Sequence, residues 1–177
     1  MVRLRPLDPE QAPSAAGALL TEIIDRHGDA GGMARTMAHS PAVLRGYLEL
    51  SRAMKRVAVP RPLSEKISLA VQEWIGCAYC LAAHAAAGRS VGLSETDIEL
   101  ARQVTATDAR EAALIAYAVR VLAEPSAITD ADIAQLRAYG WSDRLLADVV
   151  GLVALNQLTG SFNLVAGLEP APAAPAA

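Results

Sequence analysis

The chain has 177 residues, 53% of them hydrophobic but only 4% aromatic, and 16 Lys and Arg against 19 Asp and Glu give a net charge of −3. That balance offers no broad basic field, so nucleic acid and anionic membranes are not expected partners, and no run of about 20 apolar residues is read as a membrane span. The length fits one domain, with an interior of alanine and leucine that favours helix.

Residues 1–13 read as an extended lead-in carrying Pro6, Pro9 and Pro13, without the apolar stretch of a secretory signal, which predicts a cytoplasmic protein. Ser14 opens a first predicted helix to about Arg26, ended by His27-Gly28, and Gly31-Gly32 reads as a break. Ser40-Pro41 is a stronger start, an N-cap serine with proline at the first helical position, and that helix runs to about Val57, ahead of Pro60 and Pro62. Ser64 is read as the cap of the next helix and Gly76 as its break. Ser94 with Asp97, and Asp108 with Glu111, open two more, the second reaching about Ala123. Thr129 starts a helix closed by Tyr139-Gly140, and Ser142 starts the last one, which continues past Asn156. Residues 169–177 form an Ala/Pro tail too poor in bulky side chains to pack, and its expected state is disorder. Strand-like alternation is absent, so the expected fold is an all-α single domain over residues 14–168.

Chemistry concentrates between Leu63 and Gly88, which hold Cys77-Ala78-Tyr79-Cys80 and then His84. Positions three and four apart share a helix face, so Cys77, Cys80 and His84 fall on one stripe. A histidine there can share a proton with the thiol and favour the thiolate, the nucleophile of peroxide reduction and of disulfide exchange. A break at Gly76 puts Cys77 at a helix N-terminus, where the dipole and free N–H groups also favour a thiolate. It gives the pair the freedom to close a reversible disulfide, for which mid-helix cysteines stand slightly too far apart. Two other readings use the same residues: buried core cysteines, and a zinc site in which His27 or His39 joins Cys77, Cys80 and His84. A thioredoxin-like site is disfavoured because no βαβ pattern surrounds the pair.

Outside this segment, Lys55, Arg56 and Arg61 read as a solvated helix end, and Glu73 as a solvated face. His27 suits a helix C-terminus, and His39 a surface loop. Trp74 and Trp141 are expected as core or interface anchors, with Trp74 also a candidate for the wall of a thiol pocket.

Glu65 lies twelve residues before Cys77, and His84 four after Cys80. This spacing, with LSEK, GCAYCLAAH and GLS around it, resembles the alkylhydroperoxidase D core of the carboxymuconolactone decarboxylase superfamily, in its peroxidase-related branch. The likeness extends more loosely over residues 40–167. It implies an all-helical subunit in trimers or hexamers, acting as a thiol-dependent peroxidase on organic hydroperoxides, with no cofactor and no metal. By resemblance, Cys80 attacks the peroxide, Cys77 resolves the sulfenic acid as a disulfide, and Glu65 and His84 relay protons. A lipoylated or thioredoxin-like protein then reduces the pair. Tyr79 stands where some members carry a further relay histidine; it donates a hydrogen bond but does not titrate near neutrality. Two other functions stay open at this stage: a redox-sensing oligomer without turnover, and a lactone decarboxylase, which makes no use of a CxxC pair.

Overall fold

A computed structural model describes residues 2–170. Among them the chain forms nine α-helices and no strand: α1 Ser14–His27, α2 Gly31–Met37, α3 Pro41–Met54, α4 Arg61–Ile75, α5 Ala78–Ser90, α6 Glu95–Arg102, α7 Ala109–Ala123, α8 Asp130–Ala138 and α9 Asp143–Ala166. A short 3₁₀ turn, Pro125–Ala127, links α7 to α8. Of the tail 169–177 expected to be disordered, residues 171–177 lie outside the described residues.

The organising element is α4. All ten residues from Leu63 to Gln72 are buried, because α5, α6, α7 and α9 surround the helix. A helix wrapped on every side normally reads as apolar throughout. Here the faces toward its neighbours are mixed. Leu63, Ile67, Ala70 and Val71 join Leu114, Ile115, Ala118, Val149 and Val153 from α7 and α9 in the main core. Leu69 packs instead with Leu93, Ile98 and Ala101. Full burial of each large aliphatic side chain stabilises by about 1.5–3 kcal/mol.

Lys66, Ser68 and Gln72, three of the buried polar residues of α4, find partners on other helices, as most buried polar groups do. Lys66 Nζ lies 2.8 Å from Glu111 Oε2 and 3.3 Å from Asp97 Oδ1. Burial pushes this ammonium down, but the hydrogen bonds to Glu111 and Asp97 outweigh it and hold the group above its ordinary value. Gln72 Nε2 donates to both the backbone oxygen and Oδ1 of Asn156, each at 2.9 Å. Asn156 Nδ2 in turn donates to Ser68 Oγ at 3.1 Å.

Two helix starts ahead of the thiols depart from expectation. Helix α4 begins at Arg61 rather than at Ser64, with Pro62 inside its first turn, and Ser64 is a buried helical residue. Proline is tolerated there because the first helical N–H groups have no partner to lose. The Gly31-Gly32 break is instead the start of α2, with Gly31 at φ 75°.

Helix α9 is long and apolar enough in composition to cross a membrane. Asp148, Asn156, Gln157, Thr159 and Asn163 interrupt its apolar residues, so no run of about 20 consecutive apolar residues occurs, as expected from the sequence. One side of the helix packs on α3, α4 and α7. The lead-in is tied down beside it: Arg3 N–H donates to the Ala166 carbonyl at 2.8 Å, and Leu7 is buried.

Candidate active site

The thiol segment is shaped by one glycine. Gly76 adopts φ 80° and ψ 26°, a left-handed conformation that closes α4 and that other residues adopt only with strain. Cys77 follows as the N-cap of α5, its Sγ accepting the Cys80 N–H at 3.2 Å. The two sulfurs are joined as a disulfide, with Cα atoms 5.3 Å apart. Cys77 is 1% exposed and Cys80 5%.

One turn beyond Cys80, His84 Nδ1 stands 2.7 Å from Glu65 Oε2. A carboxylate only accepts, so Nδ1 carries the proton and donates it. Nε2 is left as the ring's remaining basic nitrogen. The other carboxylate oxygen, Oε1, is 2.6 Å from Arg61 Nη2. Glu65 is 2% exposed, whereas the Arg61 side chain is 59% exposed, so the carboxylate is anchored from the solvent side while it faces the imidazole. The first turn of α4 contains no acid. Starting at Arg61 places Glu65 in the second turn, where the dipole-complementing reading of this residue no longer applies.

Cys80, His84 and Glu65 line one cavity of about 300 Å³, together with Tyr79, Met54, Leu152, Leu155, Asn156 and Asn163. Cys77 is not part of its wall. A larger cavity of about 530 Å³ lies alongside, between α1, α2 and α3, and shares Met33, Tyr47, Ser51, Lys55 and Tyr79 with the first. Burial holds the Tyr47 phenol above its ordinary value, with the Ser51 hydrogen bond working against it.

Several other candidates lie elsewhere. Glu73 forms an exposed ion pair with Arg102 at 2.7 Å. His27 ends α1 and lines the larger cavity. His39 Nε2 lies 3.0 Å from the Arg5 carbonyl. Among the described residues no group of three or more His, Cys, Asp or Glu is placed to hold a metal. Trp74 is 61% exposed and lines neither cavity, because α4 turns that flank outward just before Gly76. Trp141 packs against the main core, its Nε1 donating to the Arg110 carbonyl at 3.1 Å.

One participant is missing from any reading of the motif. Asn163 of α9 is 1% exposed, and its Nδ2 donates to Cys80 Sγ at 3.2 Å. The two residues are 83 positions apart, so no local spacing could have paired them.

Residues 41–124 match the carboxymuconolactone decarboxylase family. No curated protein matches the chain. Solved structures similar to it include a peroxidase-related protein from Ralstonia eutropha described as an alkylhydroperoxidase AhpD core, 24% identical, covering 96% of this chain and 92% of that one with a TM-score of 0.79. A peroxidase-related protein from Silicibacter is 20% identical, with coverages of 96% and 93% and a TM-score of 0.78. The debrominase Bmp8 is 16% identical, with coverages of 96% and 92% and a TM-score of 0.76.

Proposed function

We propose that this chain, whose residues 41–124 match the carboxymuconolactone decarboxylase family and whose fold is AhpD-like, is a thiol-dependent peroxidase that reduces organic hydroperoxides through Cys77 and Cys80. The observation that carries this reading is the Glu65–His84 hydrogen bond set beside the Cys77–Cys80 pair, with Cys80 in the cavity wall. Similar folds include both peroxidase-related proteins and a debrominase. The side chains, rather than the fold, must therefore supply the argument.

In the reduced enzyme the Cys80 thiolate attacks the outer oxygen of ROOH. The S–O bond forms, the O–O bond breaks, and the alkoxide takes a proton from the His84 imidazolium to leave as ROH. Glu65 holds the ring by Nδ1 and fixes its orientation. Cys77 then displaces the oxygen of the Cys80 sulfenic acid, forming the disulfide and water. An external dithiol, of the lipoyl or thioredoxin-like class, returns the pair to the reduced state and is itself oxidised.

Access favours Cys80 as the attacking residue, since it lines the cavity and Cys77 does not. The helix N-terminus acts on Cys77, which suits the thiol that must ionise to resolve the intermediate. The wall mixes Met54, Leu152 and Leu155 with the polar groups around the sulfur, which suits an organic peroxide.

The test is to treat the reduced protein with one equivalent of cumene hydroperoxide, beside Cys77→Ser and Cys80→Ser variants. Loss of both thiols with the mass of two hydrogens, and a trappable sulfenic acid in Cys77→Ser alone, is the expected result. Full peroxide reduction by Cys80→Ser overturns the assignment.

A further inference from the structure

Helix α9 presents two buried asparagines to the thiol cavity, Asn156 and Asn163, seven residues and two turns apart. Their surroundings differ. Asn156 is fully engaged: Nδ2 donates to Ser68 Oγ and to the Leu152 carbonyl, and Oδ1 accepts from Gln72. It serves as a tie between α4 and α9. Among the described residues the Asn163 side chain has a single partner, Cys80 Sγ, and its Oδ1 is buried without a hydrogen bond.

An orphan amide oxygen in a protein interior is destabilising, and such groups call for an explanation. Gln72 Oε1 is also unpartnered, but Gln72 does not line the cavity and its oxygen is packed against Gly160. Asn163 differs on both counts, since it belongs to the cavity wall and its other amide atom is bonded to the sulfur that reacts.

Building on the peroxidase reading, we propose that Asn163 is a further catalytic residue: its Nδ2–H stabilises the Cys80 thiolate, and its Oδ1 receives the O–H of the hydroperoxide and then that of the sulfenic acid. Both halves follow from the chemistry of a primary amide, which has donors on one atom and lone pairs on the other. A donor on sulfur stabilises the anion more than the neutral thiol, as hydrogen bonds to charged groups are the stronger ones. The outer oxygen of ROOH carries the hydrogen and is the atom that sulfur attacks. Holding that hydrogen at Oδ1 places the outer oxygen next to the sulfur that Nδ2 already contacts, a gain of orientation rather than of binding alone. When the S–O bond has formed, the same hydrogen belongs to Cys80–SOH and stays on Oδ1. The proton that completes ROH comes from His84, as before, so Asn163 transfers none. Asn163 lies outside residues 41–124, the segment shared with the family.

The experiment uses the full chain with Cys77→Ser, which leaves Cys80 as its one thiol, and compares Asn163 with Asn163→Leu and Asn163→Asp. Alkylation of Cys80 by iodoacetamide across pH reports the thiolate without requiring peroxidase activity. Asn163→Leu should raise the midpoint by about one to two pH units, the free energy of a hydrogen bond to a charge expressed as a titration shift. Asn163→Asp, which replaces the donor with a carboxylate of similar volume, should raise it further. The rate of reaction with cumene hydroperoxide should fall by about 10- to 100-fold in both.

An unchanged midpoint in a variant with an intact melting transition overturns the donor role, and an unchanged peroxide rate overturns the acceptor role. If the alkylation profile shifts but even the parent shows no reaction with peroxide, the peroxidase reading fails while the thiolate contact stands. Should neither variant fold, the side-chain amide signal of Asn163 in the parent decides the donor role. It moves with the Cys80 titration if the contact is made, and its indifference to that titration overturns the proposal.

Discussion

Glu65 is a carboxylate at 2% exposure with each oxygen engaged, by Arg61 on one side and His84 on the other. Replacing it by glutamine keeps the volume and removes the carboxylate that holds the imidazole by Nδ1. Glu65→Gln should retain the fold and lower the rate of peroxide reduction by about 10²-fold, the lower end for a general acid–base partner. Stopped-flow measurement under single turnover checks it, and a rate equal to that of the parent would remove Glu65 from the relay. Gly160 offers a structural counterpart away from the reacting atoms. A Cβ there would lie 2.5 Å from Gln72 Oε1 and 3.0 Å from Ile75, inside the packed seam between α4 and α9. Gly160→Ala should lose about 1–3 kcal/mol in urea unfolding, the usual scale of overpacking. Cys77, Cys80 and His84 were legible in the sequence because close spacing maps onto neighbouring positions of one helix and its cap, whereas Glu65, on the preceding helix, was singled out only by the family resemblance. Asn163 and Asn156 were not, since their partners lie 83 and 84 positions away and only the packing of α9 on α4 and α5 unites them.

At the level of the helices, capping residues marked most starts in the sequence, because each cap is a local hydrogen bond between a side chain and a backbone N–H two or three residues on. Ser40, Ser94, Asp108, Thr129 and Ser142 all serve as N-caps. The start of α4 was misplaced because its N-cap is Pro60, with no side-chain bond to read. Helix α8 is short and has Leu136 as its single buried residue, so its cap matters to it. Thr129 and Asp132 close a reciprocal box there, and Arg120 Nη1 bonds Asp132 at 2.7 Å. Thr129→Ala should cost about 1 kcal/mol, read as a lower melting temperature. Asp132 is held below its ordinary value by Arg120, then by the Thr129 N–H and hydroxyl. Asp97 is held down by Ser94 and then Lys66. Because both folded-state values lie below the unfolded value of 3.8, their stabilisation is complete above it and is lost as pH falls through the folded values. The melting temperature should therefore drop below about pH 4, and Asp132→Asn should flatten part of that slope.

On the scale of the whole molecule, α9 has a second face that the domain does not cover. Val150, Leu164 and Val165 are exposed at 44%, 40% and 65%. Ala154, Gln157, Leu158, Ser161, Phe162 and Val165 line a shallow concavity of about 520 Å³ along the helix. Val150, Ala154, Leu158, Ser161 and Val165 recur at intervals of four, four, three and four, the spacing of a seam that packs against another helix. An uncharged apolar ridge of this kind marks an association surface. We propose a second copy of this chain as the occupant, its α9 laid against the first. The opposite face of the same helix carries Asn156 and Asn163 to the thiols, so association would also brace the helix that positions them. Native mass spectrometry and light scattering at micromolar concentration should show an oligomer, and Leu158→Glu should shift it toward monomer by placing a charge in the seam. If the parent is monomeric, or if the variant assembles unchanged, the outer face of α9 is not where copies meet. If the monomeric variant also reacts more slowly with cumene hydroperoxide, the brace on α9 contributes to the thiol site as well as to assembly.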